Sequence, residues 1–305
     1  MSHVPELQFH APRSLADALR LMAGSAPPRP LAGGSDLIVQ MRSGRQRPPG
    51  VVDLKRIPGL IGIERGGAGW SIGAATPCAM LGEHSALRAD WPGVVEAACL
   101  IGSPQVQGRA SLGGNLCNAS PAADSVPALI AAGATLVIGA AGVGDAVVRR
   151  EMPVEALPAG PGRTSLAPNE LVLAVRLPGR GAGAADAYLR LIPRTEMDIA
   201  VVGCGVSLRL DAGGRVVDAR VALGAVAPTA LLVPAAADAI IGSMLDDAAC
   251  GRLEAAARAA ARPIDDKRGT AAYRTRVAGV LARRAALQAY ERARAASRGP
   301  GKEIR

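Results

Sequence analysis

Two glycine-rich segments set the strongest limit on what this chain can fold into. The first is Leu31-Ala-Gly-Gly-Ser-Asp-Leu37, and the second, about 80 residues later, is Arg109-Ala-Ser-Leu-Gly-Gly-Asn115. Adjacent glycines allow a positive φ and let backbone amides approach a ligand that side chains would keep away. The pair therefore predicts that two parts of the chain hold one phosphate-bearing ligand between them.

The best-known nucleotide motifs are missing. A Rossmann fingerprint needs Gly-x-Gly-x-x-Gly between a strand and a helix. The nearest strings, Gly142-Val-Gly144 and Gly203-Cys-Gly205, have Val147 and Leu208 in place of the third glycine. There is no Walker loop either, so the sequence argues against a nicotinamide-type Rossmann domain and against a nucleoside triphosphatase.

Few side chains are suited to catalysis. The three histidines, His3, His10 and His84, accompany no Gly-x-Ser-x-Gly nucleophile elbow. The five cysteines form no Cys-x-x-Cys pair, which argues against a zinc or iron–sulfur site and favours reduced, buried thiols. A bound redox cofactor would explain this scarcity, because the cofactor itself would supply the reactive atoms.

Composition and charge narrow the possible partners. Only two Trp, three Tyr and one Phe are available for base stacking, which weakens a single-stranded nucleic-acid function. Residues 267–305 hold eleven Lys or Arg against Glu291 and Glu303. This segment is expected to be a solvated final helix and tail, with binding to an acidic partner or a nucleic acid as the alternative.

A cytoplasmic location is the default expectation, since no secretory signal is visible. Residues 125–144 carry no charge and imitate a membrane span, but Pro127 and Gly133 divide them into a short helix and a strand at 135–138.

Periodicity and turn residues predict the remaining elements. A helix capped by Ser14 ends near Gly24, a hairpin turns at 66–69, and mixed helices occupy 77–100. Further strands are expected at 50–54, 171–177, 206–210 and 216–223, and helices at 246–261 and 271–294. The predicted domains are 1–178, in lobes of about 1–55 and 56–178, and 186–295, followed by a basic tail at 296–305, with a linker near 178–185.

Four segments together resemble one family. They are residues 31–37, 101–116, 119–124 and Arg194-Thr-Glu-Met-Asp-Ile-Ala200, with Tyr273-Arg-x-Arg-Val277 near the end. In this order and spacing they resemble the FAD-binding medium subunit of the molybdenum hydroxylases, the family of xanthine dehydrogenase and carbon monoxide dehydrogenase. The resemblance covers nearly the whole chain.

The resemblance implies a fold and a function. The fold would be α+β, a two-lobed FAD-binding fold of the vanillyl-alcohol-oxidase (PCMH-like) type followed by a C-terminal α+β domain. The chain would accept electrons from a small subunit with 2Fe–2S clusters, served by a large molybdopterin subunit, and its FAD would pass them to an external acceptor. A dimer of heterotrimers is the expected assembly. The alternatives are a stand-alone FAD oxidoreductase and, further off, a non-enzymatic nucleic-acid-binding module.

The resemblance also assigns residues to FAD. It assigns no side chain a catalytic role and implies no metal site in this chain. Three positions depart from the family: Ile101 stands where xanthine dehydrogenases have an aromatic ring, Ser111 replaces a frequent threonine, and Arg190 replaces a lysine near the flavin. The implied FAD contacts are Leu31, Ala32, Gly33, Gly34, Ser35, Asp36, Leu37, Ile38, Ile101, Ser111, Leu112, Gly113, Gly114, Asn115, Asp124, Val172 and Arg190.

Overall fold

A small parallel sheet with two helices forms the first part of the computed structural model, which describes residues 7–297. Its elements in chain order are β1 (Gln8–His10), α1 (Leu15–Met22), β2 (Arg29–Leu31), α2 (Leu37–Arg42) and β3 (Gly50–Asp53). Strand β3 is central and parallel to both neighbours, so each connection must cross over, and the helices provide these crossovers. Ser14 caps α1 as predicted, because its hydroxyl accepts the N–H of Asp17 at 3.1 Å.

An antiparallel sheet of five strands follows, in the order β4-β5-β10-β6-β7. Its strands are β4 (Ile63–Gly66), β5 (Gly69–Gly73), β6 (Thr135–Ala141), β7 (Val147–Pro153) and β10 (Glu170–Pro178). The hairpin of β4 and β5 turns between the paired glycines Gly66 and Gly69, as the sequence predicted. A two-stranded ribbon, β8 (Pro158–Gly160) with β9 (Arg163–Thr164), precedes β10.

Six short helices connect β5 to β6 and carry the second glycine loop. They are α3 (Cys78–Glu83), α4 (Ser85–Asp90), α5 (Pro92–Ala98), α6 (Pro104–Gln107), α7 (Leu112–Asn118) and α8 (Ser125–Ala131). Helix α8 is buried along its whole length, and with β6 it forms the helix and strand predicted for 125–138. Among residues 7–297, no helix combines the length and apolarity that a membrane crossing needs.

The C-terminal part is an antiparallel sheet with helices packed on it. Its strands β11 (Ala184–Leu191), β12 (Val202–Leu210), β13 (Val216–Gly224) and β14 (Leu231–Leu232) lie in chain order. The helices are α9 (Pro234–Asp238), α10 (Asp247–Ala260) and α11 (Ala271–Ser297). Helix α11 buries an alanine-rich face and the side chain of Arg274, so it is only partly the solvated helix that its charge suggested.

Some sequence expectations need correction. Strand β11 begins at Ala184, inside the expected linker, and Ser297 belongs to α11 rather than to the tail. The tail residues 298–305 lie outside the described part of the chain. Strand β7 was missed because Arg149 and Arg150 face solvent on this edge strand and interrupt its apolar pattern.

Candidate functional site

The first glycine loop connects β2 to α2 and depends on its two glycines for different reasons. Gly34 has φ +79°, a conformation that favours glycine. Gly33 has no positive φ, but a Cβ at this position would overlap the carbonyl oxygen of Arg109. The two glycine loops are therefore in direct contact, and Gly33 permits that contact.

Four amides of the first loop have no hydrogen-bond acceptor within the described part of the chain. The N–H groups of Gly33, Gly34, Ser35 and Asp36 donate to no atom of residues 7–297. Successive free amides in a tight loop form a concave donor site that suits an anion such as phosphate. This loop can therefore bind a phosphate group with its backbone alone.

The second glycine loop uses its amides differently. Ser111 caps α7: its hydroxyl accepts the Gly114 N–H at 3.1 Å, and its carbonyl accepts the Asn115 N–H at 3.0 Å. The N–H of Gly113 donates to Ala74 O at 3.1 Å. Since these amides are already paired, the second loop faces the ligand mainly with the open side of Gly114 and the side chain of Asn115.

One cleft lies between the two loops, with a cavity volume of about 320 Å³, within the usual range for ligand sites. Both loops line it, β10 and the segment before β10 form another wall, and its surface is more apolar than polar. Thirteen of the seventeen residues implied for FAD line this cleft: residues 31–37, Ile101, Ser111, 113–115 and Val172.

The other four implied residues do not line the cleft. Leu112 is buried in the core, and Ile38 packs its Cδ1 against Gly34. Asp124 and Arg190 meet each other instead, joining α8 to β11 through Arg190 Nη1 and Asp124 Oδ2 at 2.6 Å.

The Asp124–Arg190 pair is buried and includes a tyrosine. Tyr188 donates its hydroxyl to Asp124 Oδ1 at 2.9 Å. Burial raises the pKa of Asp124 to about 6, although Arg190 and the Tyr188 hydrogen bond oppose this shift. Burial also raises the pKa of Tyr188. The guanidinium of Arg190 is thus neutralised by a carboxylate rather than presented as a free positive charge.

Sequence reasoning missed the outer part of the cleft. Gln40 of α2 donates from Nε2 to Asn118 Oδ1 of α7 at 2.8 Å, and both residues line the cleft. Arg29, Cys117 and Glu170 also line it. None of these residues belongs to a glycine motif. Gln40, Cys117 and Asn118 follow the loops closely in sequence, whereas Arg29 and Glu170 have no such signal.

The lining of the cleft suits the chemistry of a dinucleotide. The free amides of the first loop suit a pyrophosphate, and the apolar surface beside Ile101 and Val172 suits an aromatic ring. At Gly114, a Cβ would meet nothing closer than Ser111 Oγ at 3.2 Å, so this glycine leaves room on the cleft side rather than serving internal packing.

Comparisons with known proteins agree with this site. The family model for the FAD binding domain in molybdopterin dehydrogenase matches residues 5–180, and the model for the CO dehydrogenase flavoprotein C-terminal domain matches residues 187–289. The carbon monoxide dehydrogenase medium chain of Hydrogenophaga pseudoflava is 34% identical, over 94% of this chain and 98% of its own length. The xanthine dehydrogenase FAD-binding subunit of Escherichia coli O157:H7 is 33% identical, over 72% of this chain and 74% of its own length.

A solved structure agrees over the same length. The structure of reconstituted CO dehydrogenase from Oligotropha carboxidovorans superposes with a TM-score of 0.88 at 34% identity, covering 94% of this chain and 98% of that one. The match confirms the α+β FAD-binding fold with a C-terminal domain that the sequence predicted. This chain therefore belongs to the family of FAD-binding medium subunits of the molybdenum hydroxylases.

Proposed function

We propose that this chain is the FAD-binding electron-transfer subunit of a heteromeric molybdenum hydroxylase. One observation carries the proposal. The chain belongs to an FAD-binding family, and one wall of its cleft presents four backbone amides that are unpaired among residues 7–297. When bound, FAD can take up electrons one at a time and release them singly or in pairs. It can therefore accept electrons from iron–sulfur centres and deliver them to another acceptor.

Within this function, the chain's own residues bind and orient the cofactor. The amides of residues 33–36 hold the pyrophosphate, while Gly114 leaves space on the opposite wall. Ile101 and Val172 provide apolar contact and limit the access of water. The buried Asp124–Arg190 pair lies outside the cleft and fixes α8 against β11, so its contribution would be to hold the wall elements in place.

We also propose a domain organisation in which one domain holds the cofactor and a second packs against it. Residues 1–178 would form the FAD-binding domain, in lobes of about 1–55 and 56–178 that meet at the cleft. Residues 186–295 would form a C-terminal domain that is joined to the FAD-binding domain through the bonds of Tyr188 and Arg190 to Asp124.

The partners follow from the relatives, which are medium chains and FAD-binding subunits by name. We infer a small subunit with 2Fe–2S clusters, a large subunit with molybdopterin, and a cytoplasmic assembly of two such heterotrimers. The substrate would then be oxidised on the large subunit rather than on this chain.

Purification of the tagged chain from its native cells tests the proposal. We expect FAD and two further polypeptides to co-purify, together with molybdenum and iron. A chain that carries flavin alone and turns over a substrate without partners would instead be a stand-alone oxidoreductase. A flavin-free chain retained on DNA in a salt-dependent way would be a nucleic-acid-binding module.

A reoxidation experiment tests the electron path. The complex is reduced with dithionite under anaerobic conditions and then mixed with NAD, oxygen or a quinone. We expect the iron–sulfur centres to be reoxidised quickly when FAD is present and slowly when FAD has been removed. Equal rates in both samples would show that electrons leave the complex without passing through this chain.

A further inference from the structure

A fully buried serine lies behind the second glycine loop and contacts its last residue. Ser125, at the start of α8, is 0% exposed, and its hydroxyl donates to Asn115 Oδ1 at 2.6 Å. Asn115 lines the cleft, whereas Ser125 does not. The hydrogen bond therefore connects an interior element to the wall of the cofactor site.

The bond determines which end of the Asn115 amide is free. An asparagine side chain has an acceptor oxygen and a nitrogen with two donors. Because Ser125 occupies Oδ1, the nitrogen Nδ2 is left free, and it donates to no atom of residues 7–297. Nδ2 is not buried, so it is accessible to solvent at a residue that lines the cleft.

The open donor matters because the second loop has few others. The amides of Gly113, Gly114 and Asn115 are paired within the protein. A dinucleotide presents mainly acceptor oxygens along its phosphates and ribose. A donor at Asn115 would therefore match the ligand, whereas an inverted amide would present an oxygen to these oxygens and repel them.

We propose that Ser125 is a positioning residue of the FAD site, which holds the Asn115 amide so that its two N–H donors face an oxygen of the dinucleotide. The inference rests on the proposed function and deepens it. Ser125 itself does not touch the cofactor and acts only through Asn115.

A double-mutant cycle tests this role on the full-length chain, purified with its accompanying subunits and freed of flavin. FAD is titrated into wild type, Ser125→Ala, Asn115→Ala and the double variant, and flavin fluorescence reports the dissociation constant. We expect each single substitution to weaken FAD binding about fivefold to tenfold, the effect of one hydrogen bond. The double variant should bind no more weakly than Asn115→Ala.

Two further variants separate positioning from loss of structure. Ser243→Ala removes a hydroxyl that donates to Ile240 O at 2.6 Å in the C-terminal domain, and it should leave FAD affinity unchanged. Asn115→Asp keeps the acceptor for Ser125 but removes both donors, so it should weaken FAD binding at least as much as Asn115→Ala. The thermal midpoint of each flavin-free protein checks that the fold persists.

The outcomes are distinguishable. Unchanged affinity in Ser125→Ala, additive losses in the double variant, or wild-type affinity in Asn115→Asp would each overturn the role of Ser125 alone. A wild-type protein that takes up no FAD would overturn the proposed function, and the role of Ser125 with it.

Discussion

The four glycines of the two loops look equivalent in the sequence but have different functions in the structure. Gly33 allows the loops to touch, Gly34 adopts a positive φ, and Gly113 packs so closely that a Cβ would lie 2.5 Å from Ala74 O. Only Gly114 borders the cleft without such a contact. A substitution at Gly114 should therefore weaken cofactor binding while the chain still folds.

We expect Gly114→Val to weaken FAD binding by at least about 100-fold, or about 2.7 kcal/mol, because the side chain occupies space on the cofactor's side of the wall. Gly251→Val is the matched control: it also places valine in a helix, at a site where no atom lies within 4 Å of a Cβ. Both variants carry the same helix-propensity cost, and Gly114→Val should lose somewhat more thermal stability because its Cβ would lie 3.2 Å from the capping hydroxyl of Ser111. Equal FAD affinity in the two variants would show that Gly114 does not face the cofactor.

The buried carboxyl of Asp124 makes stability depend on pH. Its pKa is about 6 in the folded protein against 3.8 ordinarily, so the folded state binds the proton more tightly than the unfolded state. The free energy of unfolding therefore rises as pH falls from about 7 to 4. The rise is up to about 3 kcal/mol compared with a variant whose residue 124 does not titrate. Urea unfolding measures the free energy of unfolding of wild type and of Asp124→Asn at each pH. The difference between the two proteins should change with pH in this way, and a difference that stays constant across these pH values would contradict the prediction.

Helix α2, which lies beside the cleft, is weakly anchored by packing. It buries no side chain, and Ile38 and Val39 are exposed. The side chain of Gln40 donates a hydrogen bond to Asn118 of α7. This bond joins the helices that follow the two glycine loops, and both residues line the cleft. Loss of this bond would therefore remove a direct side-chain link between α2 and α7 beside the cleft.

We expect Gln40→Ala to speed FAD dissociation about fivefold, because one interhelical hydrogen bond no longer holds the cleft closed. Stopped-flow displacement of FAD measures the rate. Gln46→Ala, in the loop after α2, is the control and should leave it unchanged. An unaltered dissociation rate in Gln40→Ala would show that the bond does not restrict cofactor release.

The elements that the sequence predicted well are those whose local signals agree with their packing. Helix α1 has its serine cap and apolar stripe, and β12 and β13 alternate around the turn at 211–215. Strands β1 and β2 have three residues each, too short for a pattern, and they exist only because β3 pairs with both. The contact between Gln40 and Asn118 could not be predicted either, because these residues are 78 positions apart in the sequence and meet only in the folded protein.

At the scale of the whole molecule, a buried arginine links the two halves of the chain. Arg180, just after β10, donates to Asp186 Oδ1 of β11 at 2.8 Å and lies 3.9 Å above the ring of Trp91. Asp186 in turn accepts the N–H of Val94, at the start of α5. The segment expected to be a linker is therefore tied to both halves of the chain through Arg180.

We expect Arg180→Met to lower the free energy of unfolding by about 3–5 kcal/mol, because it leaves the Asp186 carboxylate buried without its partner. Arg65→Met is the control: Arg65 also pairs with an aspartate and lies over a tryptophan, but it is 63% exposed and should cost less than about 1 kcal/mol. Urea unfolding measures both, and similar losses in the two variants would show that the buried link adds nothing.

The proposed function requires one FAD to lie between the two glycine loops. The most direct test is an experimental structure of the complex purified through this chain. We expect one FAD per chain, with its pyrophosphate within hydrogen-bonding distance of the amides of residues 33–36. A complex whose FAD lies elsewhere, or whose cleft holds no dinucleotide when FAD is in excess, would contradict it.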